Sequence, residues 1–217
     1  MKRILLFLSI AVLMTACGGK DKINFKESDL VGTWAHVKSV NGAGAESENL
    51  AESLVFSNDH NMLSYFSSTV FSYTWEMEGR ELAYDGITYT IKKLDDRHLT
   101  VTYAFNGDTF TDTYIKIEPL LTGTWTVSWT LGTAQYASFN ANGTSSWQNA
   151  KTGVSMGTPN WTVGVNEHWS RPTIIYSGSD WDENDTILAV EQDGDQLRVI
   201  DVNGTSGIYA RGHLAIQ

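Results

Sequence analysis

Tryptophans beside carboxylates are the most specific candidates for chemistry in this 217-residue sequence. Trp169 follows shortly after Glu167, and Trp181 directly precedes Asp182. An indole ring stacks on the face of a sugar while neighbouring carboxylates accept hydrogen bonds from its hydroxyls, and binding residues concentrate on loops. We therefore take Trp169, Trp181, Glu167 and Asp182 as the candidate ligand-binding residues. The alternative is that each indole only plugs the end of a folded unit.

The same acidic stretch offers a candidate calcium site. Asp180, Asp182, Asn184 and Glu191 stand at positions 1, 3, 5 and 12 of a loop, the spacing at which an EF-hand supplies its oxygen ligands. Asp185 stands where that loop needs a glycine for its sharp turn, and both flanks have the pattern of strands rather than helices. A solvated acidic turn is the interpretation that we favour over a metal site.

The remaining residues do not suggest catalysis. The five histidines include no His-x-His or His-x-x-x-His pair, and the single cysteine excludes both a cysteine-based metal site and an internal disulfide. A G-x-S-x-G match at 153–157 lacks the following helix that a nucleophile elbow requires. We therefore expect a protein that is not an enzyme and needs no cofactor.

The charge balance excludes nucleic acid as a partner. The chain has 15 basic and 25 acidic residues, and its formal net charge is −10. Binding to a phosphate backbone depends on clustered basic residues that displace counterions. An acidic protein also repels anionic lipid headgroups, so any membrane attachment must come from an anchor.

The N-terminus predicts such an anchor. Two basic residues precede an apolar run at 4–14, which is too short to span a bilayer and has the length of a signal-peptide core. The sequence MTAC at 14–17 resembles the lipobox of bacterial lipoproteins, with Met where Leu is usual. The alternative is an ordinary secreted protein with a spare thiol.

The lipobox resemblance implies how the mature protein is held. Residues 1–16 would be a cleaved signal peptide, and Cys17 would carry acyl chains such as palmitate. Because Gly18 rather than Asp follows the cysteine, the resemblance also implies the outer membrane. Residues 17–29 are rich in Gly, Lys and acidic residues and would form the lipidated tether.

The rest of the chain contains two copies of one unit. LVGTW at 30–34 is matched by LTGTW at 121–125, and both copies end in Tyr-x-basic. Matching aromatic residues follow in the same order, Phe56 and Trp75 in the first copy and Phe139 and Trp161 in the second. Such self-similarity predicts two tandem domains, which we place at 30–119 and 120–217.

Within each copy the hydrophobic residues alternate with polar ones. Phe71, Tyr73 and Trp75 alternate with Ser and Thr, and Asn-Gly and Asp-Gly pairs separate such runs. This pattern predicts antiparallel strands with one buried face, joined by hairpin turns. We expect an all-β protein of two small antiparallel meander barrels, because closure removes the exposed edges of an open sheet.

Gly-Thr-Trp at the start of each copy and Tyr-x-basic at its end resemble the lipocalin-like domains of bacterial lipoproteins. In lipocalins the tryptophan closes the barrel floor and a basic residue of the last strand packs over it. The resemblance implies that Trp34 pairs with Lys116 and Trp125 with Arg211 for structural closure of each barrel. A cation–π contact of this kind contributes about 0.5 to 2 kcal/mol.

Four tryptophans occur only in the second copy, namely Trp129, Trp147, Trp169 and Trp181. Residues that both copies share maintain the fold, so specialisation is expected where the copies differ. We expect a non-enzymatic cell-envelope lipoprotein that binds a small ligand or an envelope component. A surface glycan-binding lipoprotein and a structural or assembly lipoprotein that engages a protein partner remain alternatives.

Overall fold

The structure of the protein, a computed structural model, describes residues 25–48, 52–178, 181, 183–191 and 193–213. The expected signal peptide, the lipidation site Cys17 and most of the tether lie outside these residues. Within the described part of the chain, each helix is too short to cross a bilayer.

One short helix and ten strands form the first half of the described chain. They are α1 (Glu27–Leu30), β1 (Gly32–Asn41), β2 (Glu46–Glu48), β3 (Glu52–Phe56), β4 (Asn61–Phe66), β5 (Thr69–Thr74), β6 (Glu76–Glu78), β7 (Glu81–Tyr84), β8 (Ile87–Leu94), β9 (His98–Phe105) and β10 (Asp108–Lys116).

A second short helix and nine strands follow in the described residues of the second half. They are α2 (Ile117–Leu121), β11 (Gly123–Trp129), β12 (Gln135–Phe139), β13 (Ser145–Asn149), β14 (Ser155–Gly157), β15 (Asn160–Asn166), β16 (Arg171–Ser177), β17 (Asn184–Val190), β18 (Gln196–Ile200) and β19 (Ser206–Arg211). The expected domain boundary at 119/120 falls inside α2, which connects the two halves.

The strands form two antiparallel sheets, one for each sequence copy. The first has the order β5-β4-β3-β1-β10-β9-β8-β7-β6, with β2 added beside β1, and the second has the order β14-β13-β12-β11-β19-β18-β17-β16-β15. In each sheet the first long strand of the copy pairs with the last, and the other strands follow as a meander. Each sheet curves into a nearly closed barrel, which confirms the predicted all-β fold of two tandem small antiparallel barrels.

Both barrels close at a matching turn and tryptophan. The backbone N–H of Trp75 donates to the carbonyl of His60 at 2.9 Å, and that of Trp161 donates to Gly143 at 2.8 Å. His60 and Gly143 both have a left-handed backbone, with φ of 61° and 82°. The same conformation at the same step of the two meanders supports descent from one module.

We call the end of each barrel that holds the Gly-Thr-Trp sequence its floor. The two floors are held by the same hydrogen bond. The indole Nε1–H of Trp34 donates to the carbonyl of Leu30 at 2.7 Å, and that of Trp125 donates to Leu121 at 2.7 Å. Both acceptors are the last residues of the short helices α1 and α2, and both tryptophans are fully buried. A helix end and a buried indole therefore satisfy one another's polar groups at each floor.

A basic side chain covers each of these tryptophans. Lys116 Nζ lies 5.2 Å from the ring centroid of Trp34, and Arg211 Cζ lies 3.9 Å from that of Trp125. These are the two pairs that the lipocalin resemblance implies. A Cβ atom at Gly32 would lie 2.5 Å from Cε of Lys116, and φ at this glycine is +134°. Gly32 is therefore required both by its backbone and by the side chain that crosses it.

The two barrels also pack against each other, which period-two alternation did not predict. Ala35 and Val37, on the outer face of β1, belong to the same buried cluster as core residues of the second barrel. Ser53 Oγ donates to the carbonyl of Ser170 at 2.9 Å, and both serines are fully buried. Burial, together with the positive charge of Arg171 on β16, lowers the pKa of His36 to about 4.

Pairing registers relate the barrels residue by residue. In the first sheet the register shifts between Ile91 and Lys93, and in the second it shifts between Ile187 and Ala189. Counting from these bulges and from the floor tryptophans gives the equivalent positions. They are Ser39 and Trp129, Glu52 and Gln135, Tyr84 and Tyr176, Tyr89 and Asp185, Tyr103 and Asp201, Asp112 and Gly207, and Tyr114 and Tyr209.

Candidate ligand-binding site

A cavity of about 200 Å³ opens at the end of the second barrel opposite its floor. It lies where β11, β16 and β18 end and where β12, β17 and β19 begin. Its aromatic walls are Trp129, Trp147, Tyr176 and Trp181, and its carboxylates are Glu183, Asp185 and Asp201. Three of the four tryptophans found only in the second copy therefore line this one cavity.

Three of the rings form a continuous aromatic wall. The ring centroids of Trp147 and Trp181 are 5.3 Å apart, those of Trp147 and Tyr176 are 5.5 Å apart, and those of Tyr176 and Trp181 are 6.0 Å apart. These spacings lie within the range of favourable aromatic pairs. A Cβ atom at Gly157 would lie 2.6 Å from Nε1 of Trp181, so the glycine makes room for the indole.

Trp129 reaches the cavity because of a second glycine. It pairs with Gly207 across β11 and β19, and a Cβ atom at Gly207 would lie 2.5 Å from the indole ring. The equivalent pair in the first barrel is Ser39 and Asp112, whose side chains hydrogen-bond at 2.5 Å. One barrel therefore has a small polar pair where the other has a large ring over a bare backbone.

A buried carboxylate lies at the base of the cavity. Asp185 is 3% exposed, and its Oδ2 accepts hydrogen bonds from the hydroxyls of Tyr209 and Tyr176, the latter at 3.1 Å. Burial raises the pKa of Asp185 to about 6, and the negative charges of Glu183 and Asp201 act in the same direction. The two phenol hydrogen bonds oppose this shift and keep the carboxylate within reach of ionisation near neutral pH.

The same level of the first barrel is filled by tyrosines. The rings of Tyr84 and Tyr89 stack at 4.3 Å, and Tyr89 lies 4.9 Å from Tyr103. The hydroxyl of Tyr114 donates to Glu52 at 3.3 Å. Burial, and then the charge of Asp112, raise the pKa of Glu52 to about 7. The first barrel thus also buries an acid among tyrosines, but the acid comes from β3 instead of β17.

The structure does not bring Trp169 and Trp181 together. Trp169 lies in the turn before β16 and Trp181 follows the end of that strand, so about 20 Å of extended chain separates them. Trp169 is 46% exposed, and next to it Ser170 and His168 accept hydrogen bonds from Ser68 of the first barrel. The Trp169 turn is therefore a contact between the barrels and not part of the cavity.

Of the other two predicted ligand-binding residues, one is placed by the structure. Glu167 lies in the same turn as Trp169, close enough that its charge adds to burial in raising the pKa of Tyr65 in the first barrel. Asp182, which follows Trp181, lies outside the described residues. Only Trp181 of the predicted set is thus shown to line the cavity.

The course of β17 separates two of the four residues of the candidate calcium loop. Asn184 begins this strand and Glu191 follows its end, so they lie about 23 Å apart and cannot close one twelve-residue loop. Asp180 and Asp182 lie outside the described residues. Within the described part of the chain, no group of three His, Cys, Asp or Glu side chains could hold a metal ion.

The cavity residues that the sequence did not assign to a site include Trp129, Trp147, Tyr176 and Asp185. The first two carried a signal, since they occur only in the second copy. Asp185 carried a weaker one, because a carboxylate replaces Tyr89 at an otherwise apolar step of the repeat. The equivalence of Asp185 and Tyr89 can be recognised only when the strand register of both copies is known.

Among known proteins, no family model, no curated protein and no solved structure matches the chain. The geometry and charge of the cavity therefore provide the basis for a functional assignment.

Proposed function

We propose that the chain is a lipid-anchored envelope protein that binds a small ligand non-covalently in the open end of its second barrel. The lipobox-like sequence ending at Cys17 supports an acyl anchor in the outer membrane. The paired floors, each with a basic side chain over a tryptophan, support a lipocalin-like origin for both barrels. The anchor would hold the protein at the membrane, and the two barrels would provide the scaffold for a binding site.

The observation that carries the proposal is the set of side chains around the cavity. Trp129, Trp147 and Trp181 have no tryptophan counterpart in the first copy, yet they converge from two strands and a loop on one opening. Large rings that are not needed for a shared core, and that gather around a cavity, favour a role in recognition. The volume of about 200 Å³ is below the roughly 300 to 1,000 Å³ of drug-sized sites, so the ligand is small.

Tryptophan fluorescence tests this proposal directly. The purified soluble chain is titrated with choline, methyl glucoside and butyrate, which represent cationic, neutral and anionic small ligands. We expect at least one of them to change the emission saturably. Trp181→Ala should abolish that change because it removes one wall of the cavity.

Trp169→Ala is the matched control, since it removes an indole at the other end of β16. It should leave the affinity unchanged while lowering the total emission. Loss of binding in Trp169→Ala with retention in Trp181→Ala would place the site at the barrel interface and contradict the proposal. Circular dichroism melting of both variants verifies that each remains folded.

A further inference from the structure

We infer that the ligand of this cavity is a small organic cation, an ammonium group bearing a few carbon atoms. The inference rests on the proposed function and names the chemical class of its ligand. Among the described residues that line the cavity, each ionisable side chain is a carboxylic acid or a phenol. A cation is the ligand whose charge matches such a lining.

Two of the three carboxylates are close enough to the third to act on it. Glu183 and Asp201 both act on Asp185 through their negative charges. Asp185 is nearly fully buried, and Tyr176 and Tyr209 donate hydrogen bonds to it but bring no positive charge. Buried or partly buried anions are stabilised strongly by a nearby cation, so a bound ammonium group would relieve this repulsion.

The aromatic walls favour the same class of ligand. The faces of indole and phenol rings carry negative electrostatic potential, and tryptophan is the strongest of these acceptors for a cation. Trp129, Trp147 and Trp181 supply three indoles around one small volume. Quaternary ammonium ligands are recognised in other proteins by such groups of aromatic rings.

The first barrel shows that this combination is not a by-product of the fold. Tyr89 and Tyr103 occupy the positions of Asp185 and Asp201, and their ring centroids lie 4.9 Å apart. Ser39 and Asp112 bond to one another where Trp129 lies over Gly207. The first barrel keeps the acids Glu52 and Asp112, but the indole walls, and carboxylates at the positions of Asp185 and Asp201, occur only in the second copy.

Calorimetric titration with choline and with its uncharged isostere 3,3-dimethylbutan-1-ol isolates the contribution of the charge. We expect choline to bind at least about ten-fold more tightly, and its affinity to fall as salt is added. Glu183→Gln and Asp201→Asn should each weaken choline several-fold. Asp193→Asn, which removes an exposed carboxylate from the turn at the other end of β17, is the matched control and should not.

The outcomes separate this inference from the proposed function. If the isostere or methyl glucoside binds as tightly as choline, and Trp181→Ala abolishes that binding, the cation inference is overturned and the cavity remains a binding site. If choline binds equally well to Trp181→Ala, the inference is overturned because the cation lies elsewhere. If no probe gives a signal that depends on Trp181, both statements are overturned.

Discussion

The two ends of the repeated barrel have diverged to different degrees. At the floors, Trp34 and Trp125 make the same 2.7 Å hydrogen bond to the end of a short helix, and each has a basic side chain over its ring. At the open ends, Ser39 and Asp112 of one barrel correspond to Trp129 and Gly207 of the other. The floor is required to close either barrel, whereas the open end was free to acquire a separate role in each copy.

The open ends nevertheless keep one feature in common. Tyr114 and Tyr209 are equivalent, and each donates a hydrogen bond to a buried carboxylate. That carboxylate is Glu52 in the first barrel and Asp185 in the second, and the position of Glu52 is occupied by Gln135 in the second. The same buried tyrosine can therefore hydrogen-bond to an acid from either of two different strands, β3 in one barrel and β17 in the other.

The strongest test of the shared floor is removal of its two tryptophans. Trp34→Ala and Trp125→Ala should each lower the free energy of unfolding of their own barrel by about 3 to 5 kcal/mol, since both remove a fully buried ring. Urea denaturation followed by circular dichroism measures both losses. A loss at one floor less than half of that at the other would show that the floors are not equivalent.

Glu52, the acid of the first barrel, should make the stability of the protein depend on pH. The pKa of Glu52 is raised from its ordinary value of 4.5 to about 7, so the folded state prefers the protonated acid. Wild-type stability should therefore fall as the pH rises from about 4.5 to 7. Glu52→Gln removes this loss and should stabilise the protein by up to ~3 kcal/mol at pH 8, with little effect near pH 4.

Melting temperatures of wild type and Glu52→Gln at pH 4, 6 and 8 measure this difference. Subtracting the two profiles removes other titrating groups, such as His36, whose lowered pKa makes acid destabilising. Gln135→Glu is the reciprocal control, because it places the acid at the equivalent position of the second barrel and should destabilise it at pH 8. A Glu52→Gln variant that is less stable than wild type at pH 8 would contradict the assignment of Glu52 as a buried acid.

The third test concerns Trp129, which lies over Gly207 where the first barrel has the pair Ser39 and Asp112. Gly207→Ala should lower stability by about 1 to 3 kcal/mol, because the new Cβ would lie 2.5 Å from the Trp129 ring. In a Trp129→Ser background, which supplies the side chain found at Ser39, the same substitution should have little effect. The coupling energy of this double-mutant cycle, measured by chemical denaturation, is the quantity to compare. A coupling near zero would mean that Gly207 is not needed for the position of Trp129.

The sequence predicted what both copies repeat. Gly-Thr-Trp, the period-two runs and the basic residue after the last tyrosine are local patterns, and local patterns were enough to predict two antiparallel barrels. It did not predict that β1 is covered on its outer face, because Ala35 and Val37 are small apolar residues that suit a covered or an open surface equally well. The contact that covers them comes from α2, β16 and β17, which lie about 75 or more positions further along the chain.

The candidate site was only partly predictable for the same reason. Trp169 and Trp181 were grouped because both neighbour carboxylates, but one strand, β16, lies between them and carries them to opposite ends of the barrel. Trp129 and Trp147 lacked acidic neighbours and were set apart only by their absence from the first copy. Which of the unshared residues face one cavity depends on strand register, which spacing along the sequence does not contain.

The smallest predicted effect distinguishes the two floors from each other. Arg211 donates to two carbonyls, those of Leu120 at 2.6 Å and Thr122 at 3.1 Å, whereas Lys116 donates to that of Asp29 at 2.9 Å. Arg211→Lys should therefore lose ~1 kcal/mol, because an ammonium group cannot reproduce the planar fork. Lys116→Arg should change stability by no more than ~0.5 kcal/mol, and thermal melting measures both. Equal losses would mean that each floor is fitted to its own basic residue, and would contradict the explanation by the arginine fork.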